Sequence, residues 1–491
     1  MRKYFDTVIN RSNGEPVNGA TVAVTTETGA AVQLYSDNGI TPIANPINAV
    51  TTNGYGLFQF YVDSGVYNLT YSFGGKSVSV SSVEIYDDAQ PSRRFARPVS
   101  DSTTDFRDRI ATEKTSGTGY IEAPAGNYSL NLSDGPLVLD FPCQIHFGAQ
   151  NKITINNATS HVFQIKQAID SGPGIPVILD GHGARIQTID GMTKTAGAFA
   201  IVGGVGSEPY AWNTRIQNFE FKYMYRWVEL QNAKFFDISS LTGISNVPGR
   251  LAGGTGAIAL GIAGRTSEGT IRGIKFQQPT AATWWDGLGQ TFPSFGVRMR
   301  WCDAIRFVDM DLIASGSCYL IDPQAGQVAG FIDIRGGNID SSIRGFDIKP
   351  GAGGIVQDLT AGGGGNVTVH TDAGIKLDGT GGGLIQRVAF SDYGMRLNGI
   401  GIALLTGAGT INDVRLDCDI SASTNEAVLL QKGTNVRISK GRYGPRGDDV
   451  GNNYGLSVSS GVTGYYQNGY DITGNISGQI VNAAPGTFIA R

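Results

Sequence analysis

Cysteine is sparse in this chain: Cys143, Cys302, Cys318 and Cys418 are scattered over 491 residues with no CxxC pair. That spacing supplies neither a disulfide framework nor a zinc knuckle, so the thiols read as small buried apolar residues. Charge is sparse as well, at 16% of residues, and a formal balance of −4 leaves no basic stripe for a nucleic-acid backbone. No apolar run reaches membrane-spanning length. The opening MRKYFDTVINRSNGEP has a basic start but no apolar core, so neither a Sec signal peptide nor membrane insertion is expected. The four histidines, His146, His161, His182 and His370, stand apart in the sequence and read as satisfied turn or strand residues. No nucleophile elbow, Walker loop, HExxH or dinucleotide fingerprint appears in a supporting context, and no cofactor or metal is expected.

Glycine is plentiful, with 70 residues, and 41% of the chain is hydrophobic, which suits an all-β protein of tight turns and argues against disorder. From Phe295 to Ser459 a small residue followed by alternating apolar residues returns repeatedly. The pairs are Val297/Met299, Tyr319/Ile321, Phe346/Ile348, Ile375/Leu377, Ile402/Leu404, Val428/Leu430 and Leu456/Val458, with successive first members 22 to 29 residues apart. A second series (AIRFVDMDL, GFIDIRGG, LIQRVAFSD, INDVRLDCDI, NVRISKG) falls between them. Short strands at a fixed period cannot bury an apolar face alone, but they can when stacked on identical neighbours about 4.8 Å away. The expected fold is a right-handed parallel β-helix. A propeller blade needs roughly 40 residues or more, and a sandwich shows no fixed period.

Residues 1–88 differ in kind: alternating strands broken by NG, DSG and GG turns predict a small antiparallel β-sandwich of about seven strands. Residues 89–101, AQPSRRFARPVSD, read as a linker between domains. Residues 102–491 then form the β-helix. They open with a short helix at 102–115, N-capped by Thr104 and placing Phe106 and Ile110 one turn apart. Residues 204–296, dense in aromatics, read as insertions that interrupt the coils, and 459–491 as a segment that closes the last coil or joins neighbouring chains.

Carboxylates are the candidate catalysts. Period-two alternation puts Asp309 and Asp311 on one face, and a one-coil offset brings Asp333 towards them, as a glycosidase pair of acids requires. The competing reading makes all three solvated outward residues. Trp284, Trp285 and Trp301 are candidate glycan platforms, because flat rings suit the apolar C–H faces of sugars; capping the core or packing at a subunit contact is the alternative.

Several motifs carry a family resemblance. Pro124-Ala125-Gly126 with Tyr128, followed by Asp180-Gly181, Gly183 and Ala184 after an initial helix, resembles the opening of pectate-lyase-like β-helices, in which the helix plugs the first coil. Pro16 to Val24 and Thr52 to Leu69 resemble transthyretin-like or carboxypeptidase-regulatory-like modules, which serve as adaptors. The whole arrangement resembles bacteriophage tailspike and tail-fibre proteins. That resemblance implies a homotrimer in the virion tail, assembled in the host cytoplasm. It further implies attachment to tail or baseplate proteins through the N-terminal domain, and binding of bacterial surface polysaccharide with or without depolymerising it. A stand-alone or secreted polysaccharide lyase or glycosidase, and a purely structural spike without a glycan site, are the alternatives.

Overall fold

The structure, a computed structural model, describes residues 2–10, 15–37, 41–63, 65–85, 102–116, 119–158, 161–166, 177–188, 197–203, 211–222, 224, 226–244, 258–277, 295–314, 316–439, 441–445, 451–468, 473–482 and 488–490. The chain divides into two compact units, Met1–Arg93 and Arg94–Arg491. The expected linker at 89–101 lies outside the described residues.

In the larger unit all seven apolar pairs fall in one 13-stranded parallel sheet. There Val297, Tyr319, Phe346, Ile375, Ile402, Val428 and Leu456 stand level on successive rungs. This sheet is the third face of each coil. The second series forms the first face, for example Cys302–Val308 and Val328–Arg335. Short strands such as Asp311–Ile313 and Asn338–Asp340 form the second. First and second faces belong to one 23-stranded sheet, because long strands such as Leu384–Arg396 bend across the corner between them. The interior is a continuous apolar column; Tyr319 and Phe346 stack with ring centroids 4.9 Å apart.

The corner between second and third faces is buried and polar, which obliges its groups to hydrogen-bond one another. Asn398 Oδ1 accepts from the His370 backbone N–H, Asn452 Oδ1 from that of Ser423, and Asn452 Nδ2 donates to Asn475 Oδ1. His370 takes one rung of this ladder, its Nδ1 2.7 Å from Ser342 Oγ, and burial pulls its imidazole down to about 4.

Three expectations change. The helix is Thr103–Ser116, and its first intrahelical bond runs from Phe106 N–H to the carbonyl of Ser102, so Ser102 rather than Thr104 is the cap. Phe106 and Ile110 are buried against the first coil, with the Phe106 ring 5.6 Å from that of Tyr128. Among the described residues of 204–296 the strands continue the coils. Thr214–Lys222, Asp237–Ile244 and Thr266–Arg272 continue the first face, and Arg226–Gln231 and Ile258–Ala263 the third, in parallel register. Four of the aromatics there are core, since Phe219, Phe221, Trp227 and Phe236 are buried, whereas Phe235 is exposed; Gly243 makes room, because a Cβ there would lie 2.0 Å from Trp227. The C-terminal strands Tyr465–Asn468 and Gly478–Asn482 likewise stack in parallel on earlier coils, so this part of 459–491 extends the array.

The smaller unit is a sandwich of six strands among the described residues. A four-stranded antiparallel sheet (Ala49–Thr51, Thr21–Thr26, Gly65–Phe73, Lys76–Ile85) and the pair Arg2–Thr7 with Leu57–Val62 enclose Val22, Val24, Phe58, Phe60 and Leu69. Alternation misses Arg2–Thr7. Tyr35 makes only isolated bridges, to Pro42 and Tyr61.

Candidate functional site

Strict alternation on the third face aims every second residue outward, and consecutive rungs line those residues into columns. One column runs Arg298, Leu320, Asp347, Lys376; the next to it carries Arg300, Asp322 and Lys349. Their charges interlock. Arg298 donates through Nε (3.1 Å) and Nη2 (2.6 Å) to the two oxygens of Asp322, and Arg300 Nε lies 3.6 Å from the same carboxylate. One coil further on, Arg344 donates to Asp347 (3.1 Å) and Asp372 (2.6 Å), Lys349 lies 3.3 Å from Asp347, and Lys376 donates to Asp372.

Asp347 is the unusual member. It points outward yet its side chain is 1% exposed, and among the described residues its Oδ1 meets no donor. A buried carboxylate persists only when cations and hydrogen bonds compensate it, and Arg344 and Lys349 do so. Burial lowers the Arg344 pKa, but the facing Asp347 and Asp372 outweigh it and raise the guanidinium above its ordinary value. Burial raises Asp372; hydrogen bonds from Arg344 and Lys376 outweigh that and hold its carboxyl below the ordinary value. The two adjacent clusters together hold five bases and three acids in a chain whose formal charge is −4.

The sequence-derived acids lie elsewhere. Asp333 is level with Arg306, not with Asp309, and is paired with Arg306 (3.2 Å) and Arg335 (2.9 Å). Asp309 sits one rung away and three residues further along, roughly 10 Å by strand rise alone. Asp309 also has φ of 52° and closes the first face, whereas Asp311 opens the second, level with Asn338. The shared face expected for Asp309 and Asp311 is therefore broken by the corner, and the three do not assemble into a carboxylate pair. Trp301 is half-buried with the Arg265 guanidinium 5.1 Å over its ring, and it follows Arg300 directly. Trp284 and Trp285 lie outside the described residues, in the stretch that leads into Phe295–Met299, the strand bearing Arg298.

The third-face network had a sequence signal: a charged residue between the two apolar members of three of the seven phrases, VRM, FDI and IKL. Separately, a groove of about 480 Å³ on the second face is lined by Thr368, Arg396, Asp419 and Arg442 among others. All four cysteines are buried and free, and burial pushes the thiols of Cys143, Cys318 and Cys418 up to about 12.

No protein-family model and no curated protein sequence matches the chain. Solved structures do. The chain is similar to a tailspike protein mutant of the E. coli bacteriophage HK620 in complex with pentasaccharide, with TM-score 0.54 and 11% identity, covering 85% of this chain and 83% of that one. It is also similar to the Dettilon tailspike protein, with TM-score 0.50 and 11% identity, covering 81% and 71%. What is shared at that identity is the coil architecture, and it makes this chain a tailspike-like right-handed parallel β-helix. No helix among the described residues is long and apolar enough to cross a membrane.

Proposed function

We propose that the chain is a polysaccharide-binding β-helix protein of the phage tailspike kind, engaging an acidic bacterial surface glycan along its third face. The observation that carries this reading is the interlocked charged network around Asp347. It offers an extended polymer a new set of donors and acceptors on each rung, about 4.8 Å apart, and its surplus of bases favours a glycan bearing carboxylates. The fold supports it, since one similar protein was solved with a pentasaccharide. In this reading the smaller unit is the virion adaptor and three chains associate in parallel. Exposed Ile343, Val369 and Leu397, in the segments that join second to third faces on three successive coils, are apolar surface suited to such an association.

The test is binding of purified host surface polysaccharides, separated into acidic and neutral fractions. The Arg300→Ala/Lys349→Ala double variant alters two partly exposed bases and is expected to lose acidic-glycan binding by about tenfold or more. Equal binding of neutral and acidic fractions, or an unaltered double variant, counts against the third face.

Depolymerisation is a second reading, favoured by one geometric fact. Asp347 and Asp372 grip one guanidinium, which keeps the two carboxylates near the roughly 5–9 Å span of glycosidase pairs. Asp372, held ionised, suits the base or nucleophile. Asp372→Asn is then expected to stop shortening of the glycan, read by size-exclusion, while binding persists.

A further inference from the structure

Two of the four histidines do not stand apart. On the first face near the N-terminal end of the coils, His146, Asp180 and Gln217 are level on successive rungs. After Asp180 the strand slips register: Asp180 is opposite Gln217, but the next pairing is Ala184 with Phe219, so Gly181, His182 and Gly183 bulge outward against a single residue. Gly181 is pressed against its neighbour, where a Cβ would lie 2.4 Å from the Asn218 carbonyl oxygen. His182 takes the left-handed conformation, φ 45°. The bulge folds His182 back over Asp180. Its backbone N–H donates to Asp180 Oδ1 (3.1 Å), and its Nε2 lies 3.5 Å from Asp180 Oδ2. The His146 ring lies 5.9 Å from that of His182, centroid to centroid, and one ligand atom from each of His146, Asp180 and His182 lies within 4.8 Å of the others.

We propose that His146, Asp180 and His182 form a divalent transition-metal site of the zinc class. An N/O-ligated tetrahedral ion has bonds of about 2.0–2.1 Å, so neighbouring donors sit about 3.3 Å apart. The His182–Asp180 separation already comes close to that, and the remaining gaps close by at most about 1.5 Å of side-chain movement. The carboxylate is positioned as a ligand should be: it is 7% exposed, and Gln217 Nε2 (2.6 Å) and Asn218 Nδ2 (3.0 Å) fix its two oxygens. A carboxylate offers about four lone-pair sites; Gln217, Asn218 and the His182 amide take three and leave one towards the imidazoles. Two imidazoles with one carboxylate select Zn²⁺, Co²⁺, Ni²⁺ or Cu²⁺ over Ca²⁺ or Mg²⁺, which prefer all-oxygen shells. Three protein ligands leave a position for water or a ligand oxygen. The site is independent of the glycan reading, because it occupies another face and other coils.

The test is calorimetric titration of the full, tag-free chain with ZnCl₂ alone. One Zn²⁺ per chain is expected, undisturbed by millimolar Ca²⁺. His182→Asn keeps a residue that tolerates the left-handed conformation and is expected to weaken Zn²⁺ binding at least tenfold, as is His146→Asn. Gln217→Ala, which only frees the carboxylate, is expected to weaken it roughly tenfold. Should a variant fail to fold, Co²⁺ added to the unaltered chain reads the site directly through its visible absorption. Absence of Zn²⁺ binding or of a Co²⁺ spectrum, titration of both folded histidine variants like the parent, or equal displacement by Ca²⁺ would overturn the proposal.

Discussion

The third and first faces are stacked from the same coils, yet they differ in one backbone feature. Third-face strands such as Phe295–Met299 and Arg344–Ile348 contain no left-handed residue, so apolar and outward positions alternate without a slip. First-face strands carry one on rung after rung: Ala304, Phe331, Asp358, Arg387, Asp413 and Asn435 all have φ between 48° and 56°. Each such residue kicks the strand outward and shifts the alternation by one. Regularity makes fixed columns, as at Arg298 and Asp347. The slip instead makes a projecting ridge, where Phe331 is 60% exposed and Asp358 is paired bidentately with Arg387 at 2.6 and 2.9 Å.

The sharpest way to break this comparison is to remove the same side chain from both faces. Phe346→Ala empties the third-face column and is expected to cost about 3–5 kcal/mol, whereas Phe331→Ala changes stability by less than about 0.5 kcal/mol. Urea unfolding of the two variants decides it, and equal losses would refute the distinction.

Next in size is a pH effect at the buried corner beside the third face. The imidazole of His370 is held near 4 against an ordinary value near 6.5, so the unfolded chain takes up a proton that the folded chain refuses. This contribution to stability is complete above pH 6.5, erodes as pH falls, and is gone below about 4; the whole is about 3 kcal/mol. His370→Asn, which repeats the residue found at Asn398 and Asn452, is expected to flatten the decline between pH 6.5 and 4. Melts of both proteins across that window check it.

Acidic residues sharpen the contrast further. Asp347→Ala uncovers Arg344 and Lys349 and is expected to cost about 2 kcal/mol. That is less than a fully buried pair, because both bases stay partly wetted. Asp333→Asn, on the first face between two arginines more than half exposed, is expected to cost under about 1 kcal/mol. Thermal melts at two salt concentrations separate them. One further expected effect is on binding alone: Trp284→Ala/Trp285→Ala weakens glycan affinity roughly tenfold with an unchanged melt. An unchanged affinity would detach these rings from the third-face site.

The unequal legibility of the two faces has the same cause. Tyr319/Ile321 and Phe346/Ile348 announce themselves because nothing interrupts their alternation. Asp309, Asp311 and Asp333 read as one face only while period two is carried through a corner that φ of 52° at Asp309 turns. Aspartate adopts that conformation several-fold more often than most residues, so Asp309 carries a weak signal, whereas at Ala304, Phe331 and Arg387 the residue type flags nothing. Phe219, Phe221 and Trp227 read as an aromatic insertion for a related reason: left-handed Asn218 and Asn232 hide the period, and only the stacked neighbours place the rings inside.

By itself the sequence determined the repeat, the chain order of sandwich, helix and coils, and the apolar ladder, because all three are written in local alternation and turn residues. The tertiary structure decided which residues stand level on neighbouring rungs. That placement lays Asp372 and Lys376 beside Arg344 and Asp347 and sets His146 against Asp180 and His182. Register depends on how many residues each corner and bulge consumes, and that number is fixed only when one coil is laid upon the next.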